Sequence, residues 1–269
     1  MPPPPPSSKT KTLHINITSF LPFPPHPTNP STLIASLLPH THIFTPPATD
    51  TTYTLHLHVH PPLKVAYRVV DEAVPLLWEG GEGGRDGGNG GREREYWLHL
   101  GVGRAGGYRL ERRARCGGRG WRGWRRDVEG CLPGEYGDGG GDEMTGHGER
   151  ERGEVEGDTE DKKEEEEVEL RTGLDVPRIV DWVKTRMQEE EDVEELRICV
   201  SEDAGRFLCE YIFRASLMEA RKRGEEEMKR VLFLHVPPAG KPYSVEMGAE
   251  VVKRIVEGMV SDGEGLGGA

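Results

Sequence analysis

Apolar residues are scarce in this chain. They occupy 34% of its 269 positions, and aromatics only 7%, less than a typical globular domain carries. The shortage is uneven. Two stretches are nearly devoid of apolar side chains: EGGEGGRDGGNGGRERE at 79–95 and the Gly- and Glu-rich run at 134–168. Such composition cannot bury enough surface to order a chain. The remaining sequence has ordinary core-forming patterns. The expected organisation is a single α/β domain over 12–261, interrupted by disordered insertions at about 79–95 and 134–168. It is flanked by a Pro-rich tail at 1–11 and a short tail at 262–269.

Other absences exclude whole classes of function. No apolar run approaches the roughly 20 residues of a membrane-spanning helix. The start, MPPPPPSSKTK, has no apolar h-region, so no signal peptide is expected. The four cysteines, Cys116, Cys131, Cys199 and Cys209, form no CxxC pair and no Cys/His zinc spacing, which argues for free thiols in a reducing, cytoplasmic compartment. Nothing calls for a metal or other cofactor. An excess of basic residues is also missing. The net charge is −12, and much of the acid sits in EVEGDTEDKKEEEEVE at 154–169. That balance weighs against general nucleic-acid binding.

What is present is an alternation of strand and helix signals. Strands are expected at 13–20, 52–60, 96–102, 196–200 and 230–236, with another at 107–114. Helices are expected at 32–38, 64–78, 175–187, 205–223 and 244–260. Asn29, Pro30 and Ser31 form the turn and cap before the first of them. Asp175 caps the third with Pro177 in its first turn. Pro75 breaks or kinks the second. The later strands are runs of Val, Ile, Leu and Phe, as in a mostly parallel sheet covered on both faces. The fold class is therefore α/β, a three-layer α/β/α sandwich. In such sheets, sites form where strands run out into helices. That rule selects the loops after Ser19, Val200 and Val236.

Cys209 stands in the second of these, within SEDAGRFLCEYIFRASL at 201–217. It falls in the first turns of a helix, where the positive end of the backbone dipole favours a thiolate. A buried core cysteine fits the same stretch, and alone the stretch favours it. His235, in VLFLHVPP, ends a buried strand one helix and one strand later. A cysteine and a histidine at adjacent strand ends would form an activated nucleophile pair. Glu111, the acid in YRLERRAR, is the best candidate to orient the imidazole. Taken singly, a structural histidine and a surface carboxylate explain these two equally simply.

Together these stretches resemble a known family. SEDAGRFLCEYIF, FLHVPP, GVGRAGGYRLERRA and SFLPFPPHPTNPS occur in the order and contexts of the pyroglutamyl peptidase I family, cysteine peptidases of family C15. KVAYRVVDEAVPLLW and DVPRIVDWVKTRM are similar to its fungal-type members. The resemblance covers nearly everything outside the tail and the two insertions. It implies an α/β/α fold and a cytoplasmic enzyme that removes N-terminal 5-oxoproline from peptides. It assigns Cys209 as nucleophile, His235 as general base and acid, and Glu111 as third catalytic residue. Phe20 and Phe23 match the aromatics lining the lactam pocket, with Asn29 near the same site. The expected partners are pyroglutamylated peptides.

The sequence also departs from that pattern. Ser19 and Leu21 replace glycines, Cys116 stands where Asn or Gly is common, and Glu210 follows the nucleophile where Asn is frequent. Glu210 is expected to raise the thiol pKa through its negative charge. A catalytically impaired relative that only binds blocked peptides is therefore an alternative. RCGGRGWRGWRRD at 115–127 interleaves Arg, Gly and Trp, the material of single-strand RNA binding, a weaker alternative. HLHVH at 56–60 puts three histidines on one side of a strand. With no further ligand, this reads as a surface-facing strand edge rather than a metal site.

Overall fold

Hydrophobic alternation and capping place the chain's elements much as the sequence leads one to expect. The computed structural model describes residues 9–24, 26–47, 49–80, 94–116, 123–135, 168–189, 196–240 and 242–266. The strands are β1 (Lys9–Thr18), β2 (Thr41–Phe44), β3 (Thr51–Val59), β4 (Glu95–Val102), β5 (Tyr108–Glu111), β6 (Arg113–Cys116), β7 (Val168–Arg171), β8 (Ile198–Ser201) and β9 (Val231–Val236). The helices are α1 (Pro30–Ser36), α2 (Tyr67–Glu79), α3 (Val176–Gln188), α4 (Leu208–Arg223) and α5 (Val245–Gly263), with a short 3-10 turn at Glu225–Arg230. Among the described residues no helix is long and apolar enough to cross a membrane.

Seven strands form one sheet in the order β2-β3-β1-β4-β9-β5-β8. It is mostly parallel, but β2 runs antiparallel to β3 and β5 antiparallel to β9. The central strands β4 and β9 have no exposed residue, because helices cover both faces. One face packs Leu13, Ile15, Leu98 and Leu234 against α1, α3 and α5. The other packs Trp97 and Phe233 against α2 and α4.

Local sequence explains the helix starts. Asn29 accepts a hydrogen bond from the Ser31 N–H, with Pro30 in the first turn of α1. Asp175 accepts from the Arg178 N–H at the start of α3, and Ser244 from Met247 at the start of α5. A cap of this kind contributes about 1 kcal/mol.

Three expectations change. Helix α2 continues through Pro75 instead of breaking there. Val70, Val74 and Trp78 lie buried along one face, four residues apart, and their packing outweighs the lost backbone hydrogen bond. The single strand expected at 107–114 is two. At Arg112 the chain leaves the main sheet: the Arg112 N–H donates to the Ser201 carbonyl, and the Arg112 carbonyl accepts from Thr172. The chain then pairs as β6 with β7 in a separate two-stranded sheet. Lastly, HLHVH does not lie on an edge. Strand β3 is flanked by β1 and β2, and its His56 and His58 stack on His14 of β1 at 5.4 and 5.1 Å. No group of His, Cys, Asp or Glu among the described residues is arranged to hold a metal ion. Most of both insertions, and residues 117–122 of the Arg/Trp/Gly segment, lie outside the described residues.

Candidate active site

Strands β1, β4 and β9 run parallel and point their carboxyl ends at one edge of the sheet, while β5 and β8 run the opposite way beside β9. The loops leaving them build a cleft of about 560 Å³. Cys209, His235, Glu111, Phe20, Phe23 and Asn29 all line it. The other large cleft, about 610 Å³ along α3, includes Cys199 but no histidine or carboxylate in its lining.

Strand register sets the geometry. His235 of β9 pairs with Gly101 of β4 on one side and with Arg109 of β5 on the other. Because β5 is antiparallel to β9, Glu111 lies opposite Phe233, diagonally behind His235 on the same face. The imidazole Nδ1 is 2.7 Å from Glu111 Oε1. Glu111 is fully buried and His235 is 8% exposed. This hydrogen bond fixes both the ring orientation and the tautomer, leaving Nε2 for other work. Glu111 Oε2 is buried without a partner among the described residues.

Cys209 is the second residue of α4, half-buried and unpaired. The turn into the helix needs Gly205 at φ +76°, a conformation that costs a side-chain-bearing residue about 1 kcal/mol or more. The first-turn N–H groups of α4 have no partner within the helix, so they face the thiol with the positive end of the dipole. Gly101 lets the thiol sit against the sheet. A Cβ there would lie 2.8 Å from Cys209 Sγ and 2.7 Å from Phe233 Cζ. Gly103 performs the same service for His235, whose Cβ would be 2.8 Å from an added methyl.

Electrostatics link the three residues. Burial alone would lower the His235 pKa. The charge and hydrogen bonding of Cys209 and Glu111 outweigh it and push the imidazole up to about 10. The arrangement therefore favours a protonated imidazole at neutral pH, held by Cys209 and the buried Glu111.

Glu210 behaves differently from expectation. It is 1% exposed, and both its oxygens bond the Arg115 guanidinium at 3.0–3.1 Å, with the Arg115 N–H adding a third bond at 3.0 Å. Burial raises its pKa and the Arg115 contacts oppose that. Its charge is thus matched by Arg115, which also holds Asp203 at 2.8 Å. Arg115 ties the turn at 203 to the helix start at 210. Nothing in the sequence pairs Arg115 with these two acids, because the pairing requires β6 to leave the main sheet.

The aromatic wall comes from the loop after β1. Phe20 is buried and bridges to Leu63. Phe23 tilts against Phe207 at 6.2 Å between ring centroids. Phe207, the residue before α4, completes the wall; its place in GRFLC was the only sequence signal for it. Ser19 is buried, its carbonyl accepting from Leu63 N–H, while Leu21 points out, 40% exposed. Their bulk therefore does not fill the cleft. Asn29 lines it, but its amide is spent on the loop: Oδ1 takes the Ser31 N–H and hydroxyl, and Nδ2 donates to the Leu21 carbonyl.

Comparison with known proteins bears on the fold that carries these residues. No family model matches the chain. Over 66 residues, 24% of this chain, it is 35% identical to pyroglutamyl-peptidase 1 of Mus musculus and 33% identical to that of Homo sapiens. That stretch spans 28% of the length of those relatives. The fold match is far wider. The pyrrolidone carboxyl peptidase of Thermococcus litoralis superposes with a TM-score of 0.60 at 17% identity, covering 95% of this chain and 96% of that one. Pyroglutamyl peptidase I of Bacillus amyloliquefaciens gives 0.56 at 17% identity, covering 93% and 98%. The chain has the pyrrolidone carboxyl peptidase fold, and over those 66 residues its sequence is similar to pyroglutamyl-peptidase 1.

Proposed function

We propose that this chain is a cysteine omega-peptidase, cutting the bond after an N-terminal pyroglutamyl residue. The observation that carries the reading is the Glu111–His235 contact at 2.7 Å, with Cys209 acting on the same imidazole from the start of α4.

In this reading the lactam ring enters the wall of Phe20, Phe23 and Phe207. An uncharged, flat ring suits apolar walls, whereas an ordinary ammonium terminus would lose its hydration there at a cost of several kcal/mol. Asn29 acts by holding the Phe20–Phe23 loop. The Cys209 thiolate attacks the pyroglutamyl carbonyl carbon. First-turn N–H groups of α4 stabilise the resulting oxyanion, since they are fixed before charge develops. Collapse breaks the peptide C–N bond, and the His235 imidazolium gives its proton to the leaving amine. Neutral His235 then takes a proton from water, whose oxygen attacks the thioester and releases pyroglutamate. Glu111 holds the ring throughout. A cytoplasmic setting, which keeps Cys209 reduced, belongs to the same reading.

A fluorogenic pyroglutamyl amide tests it. Hydrolysis should need a reducing agent and disappear in Cys209→Ala. Folded wild-type protein that binds a pyroglutamyl peptide without turnover would instead favour the impaired-relative alternative.

A further inference from the structure

Acidic groups crowd the mouth of the cleft, yet each is already taken. Glu111 holds His235. Asp203 and Glu210 share Arg115. Glu202 bonds Arg112 and Arg171 at 3.3 and 3.1 Å. Three arginines of the lining have no ion pair among the described residues: Arg125, which lies over the Phe207 ring at 5.1 Å, and Arg104 and Arg109. The charge of Arg104 reaches Asp203, whose carboxylate Arg115 occupies. In a protein of net charge −12, Arg104 and Arg109 thus bring positive charge without a carboxylate partner to the lining of this cleft.

The two guanidinium groups also sit on a particular side. Along the sheet edge two rings of the aromatic wall, Phe20 and Phe23, follow β1. His235 is on β9, and Arg109 is on β5 beyond it, directly opposite His235 in register. Arg104 follows Gly103, which packs against the His235 Cβ. With the lactam ring against the aromatic wall, the leaving amine must lie at His235 to receive its proton. The departing chain then continues toward Arg104 and Arg109.

We infer that Arg104 and Arg109 bind a carboxylate on the departing side, so that the chain prefers peptides with a carboxylate immediately behind the pyroglutamyl residue. The inference rests on the peptidase reading above. A carboxylate there has two sources: an acidic side chain following pyroglutamate, or the free terminus of a dipeptide. Arg109 is half-buried and Arg104 exposed, so the pairs are partly screened, and a preference of roughly five- to tenfold is expected.

The test compares kcat/KM of the full chain on four peptides: pyroglutamyl-alanine amide, pyroglutamyl-alanine with a free carboxylate, pyroglutamyl-glutamate amide and pyroglutamyl-lysine amide. One or both carboxylate peptides should exceed the alanine amide by that factor, and which of them does so identifies the source. The lysine amide should be the poorest. Raising salt to about 0.5 M should shrink the differences. In the double variant Arg104→Gln/Arg109→Gln the ratio of carboxylate peptide to alanine amide should fall to near one, and Arg109→Glu should favour the lysine amide. Equal rates on all four peptides, or a preference that survives the double variant, would overturn the inference while leaving the peptidase reading intact. No turnover of any peptide, the alanine amide included, would remove both.

Discussion

Two buried histidines lie one strand apart on the same face of the sheet, and their surroundings drive them in opposite directions. His99 of β4 is 1% exposed, with Nδ1 2.8 Å from the Thr18 hydroxyl and Nε2 unpartnered among the described residues. Burial first, and the charge of His60 second, lower its pKa to about 3. His235 is buried nearly as well, yet rises to about 10. What separates them is the Glu111 carboxylate at 2.7 Å and the charge and hydrogen bonding of Cys209. Low dielectric strips a proton from a lone imidazole and strengthens the hold on one that faces anions. Burial by itself therefore does not mark a catalytic histidine; the sign of its neighbours does.

The sharpest way to break this contrast is to make His235 resemble His99. Glu111→Gln keeps the shape and removes the charge. Its kcat/KM on a pyroglutamyl amide should drop by about 10²–10⁴-fold, and the His235 titration should move down. Unchanged rates would mean that another group orients the ring. Next comes another buried titratable group, Glu210, whose charge is matched by Arg115. Arg115→Met strands that carboxylate and should cost about 3–5 kcal/mol in denaturant unfolding. A loss under about 1 kcal/mol, the range of an exposed pair, would show that Glu210 reaches water. Gly101→Ala tests the spacing of the pair instead of its charge. The added methyl meets Cys209 Sγ at 2.8 Å, so about 10²-fold loss of kcat is expected, with stability reduced less than activity.

The smallest effect is on stability against pH, and the two histidines should contribute opposite slopes. His99 has a folded pKa below its ordinary 6.5. Its neutral form contributes stability that is complete above about 6.5 and lost as pH falls toward about 3. His235 has a folded pKa above 6.5. Its contribution is complete below about 6.5 and lost as pH rises through about 10. Replacing His99 by Leu should reduce the acid-side slope by about 1.4 kcal/mol per pH unit, the share of one proton. An unaltered acid limb in His99→Leu would show that the group is already charged in the fold.

The contrast also explains which parts were legible in the sequence. Alternation in LHINITSF and the buried runs YWLHLGV and VLFLHV imposed strands, and caps such as Asn29 and Asp175 imposed helix starts, because these rest on neighbours in the chain. The strand-end rule pointed to the loops after Ser19, Val200 and Val236, although β8 runs against β9, and the family resemblance singled out Cys209, His235 and Glu111. Contacts between distant segments were not legible. The four-residue β2 and β7 are too short to leave a period. The match of Glu210 with Arg115 depends on the strand switch at Arg112, so a charge read in isolation next to the thiol turns out to be balanced. Locally, only the strand end before Pro237 distinguishes the histidine in FLHVPP from the one in YWLHLGV. Both sit in buried strands, and only the fold places Glu111 beside one and Thr18 beside the other.

The most direct measurement is an NMR titration of the two imidazoles, assigned through His99→Leu and His235→Asn, in wild type and in Glu111→Gln. The expected result is His235 protonated at neutral pH and titrating far above 6.5, toward about 10, with a fall in Glu111→Gln, while His99 stays neutral down to low pH in both. Two histidines titrating together near 6.5, with His235 indifferent to the loss of the Glu111 charge, would contradict a His235 held protonated by Cys209 and Glu111.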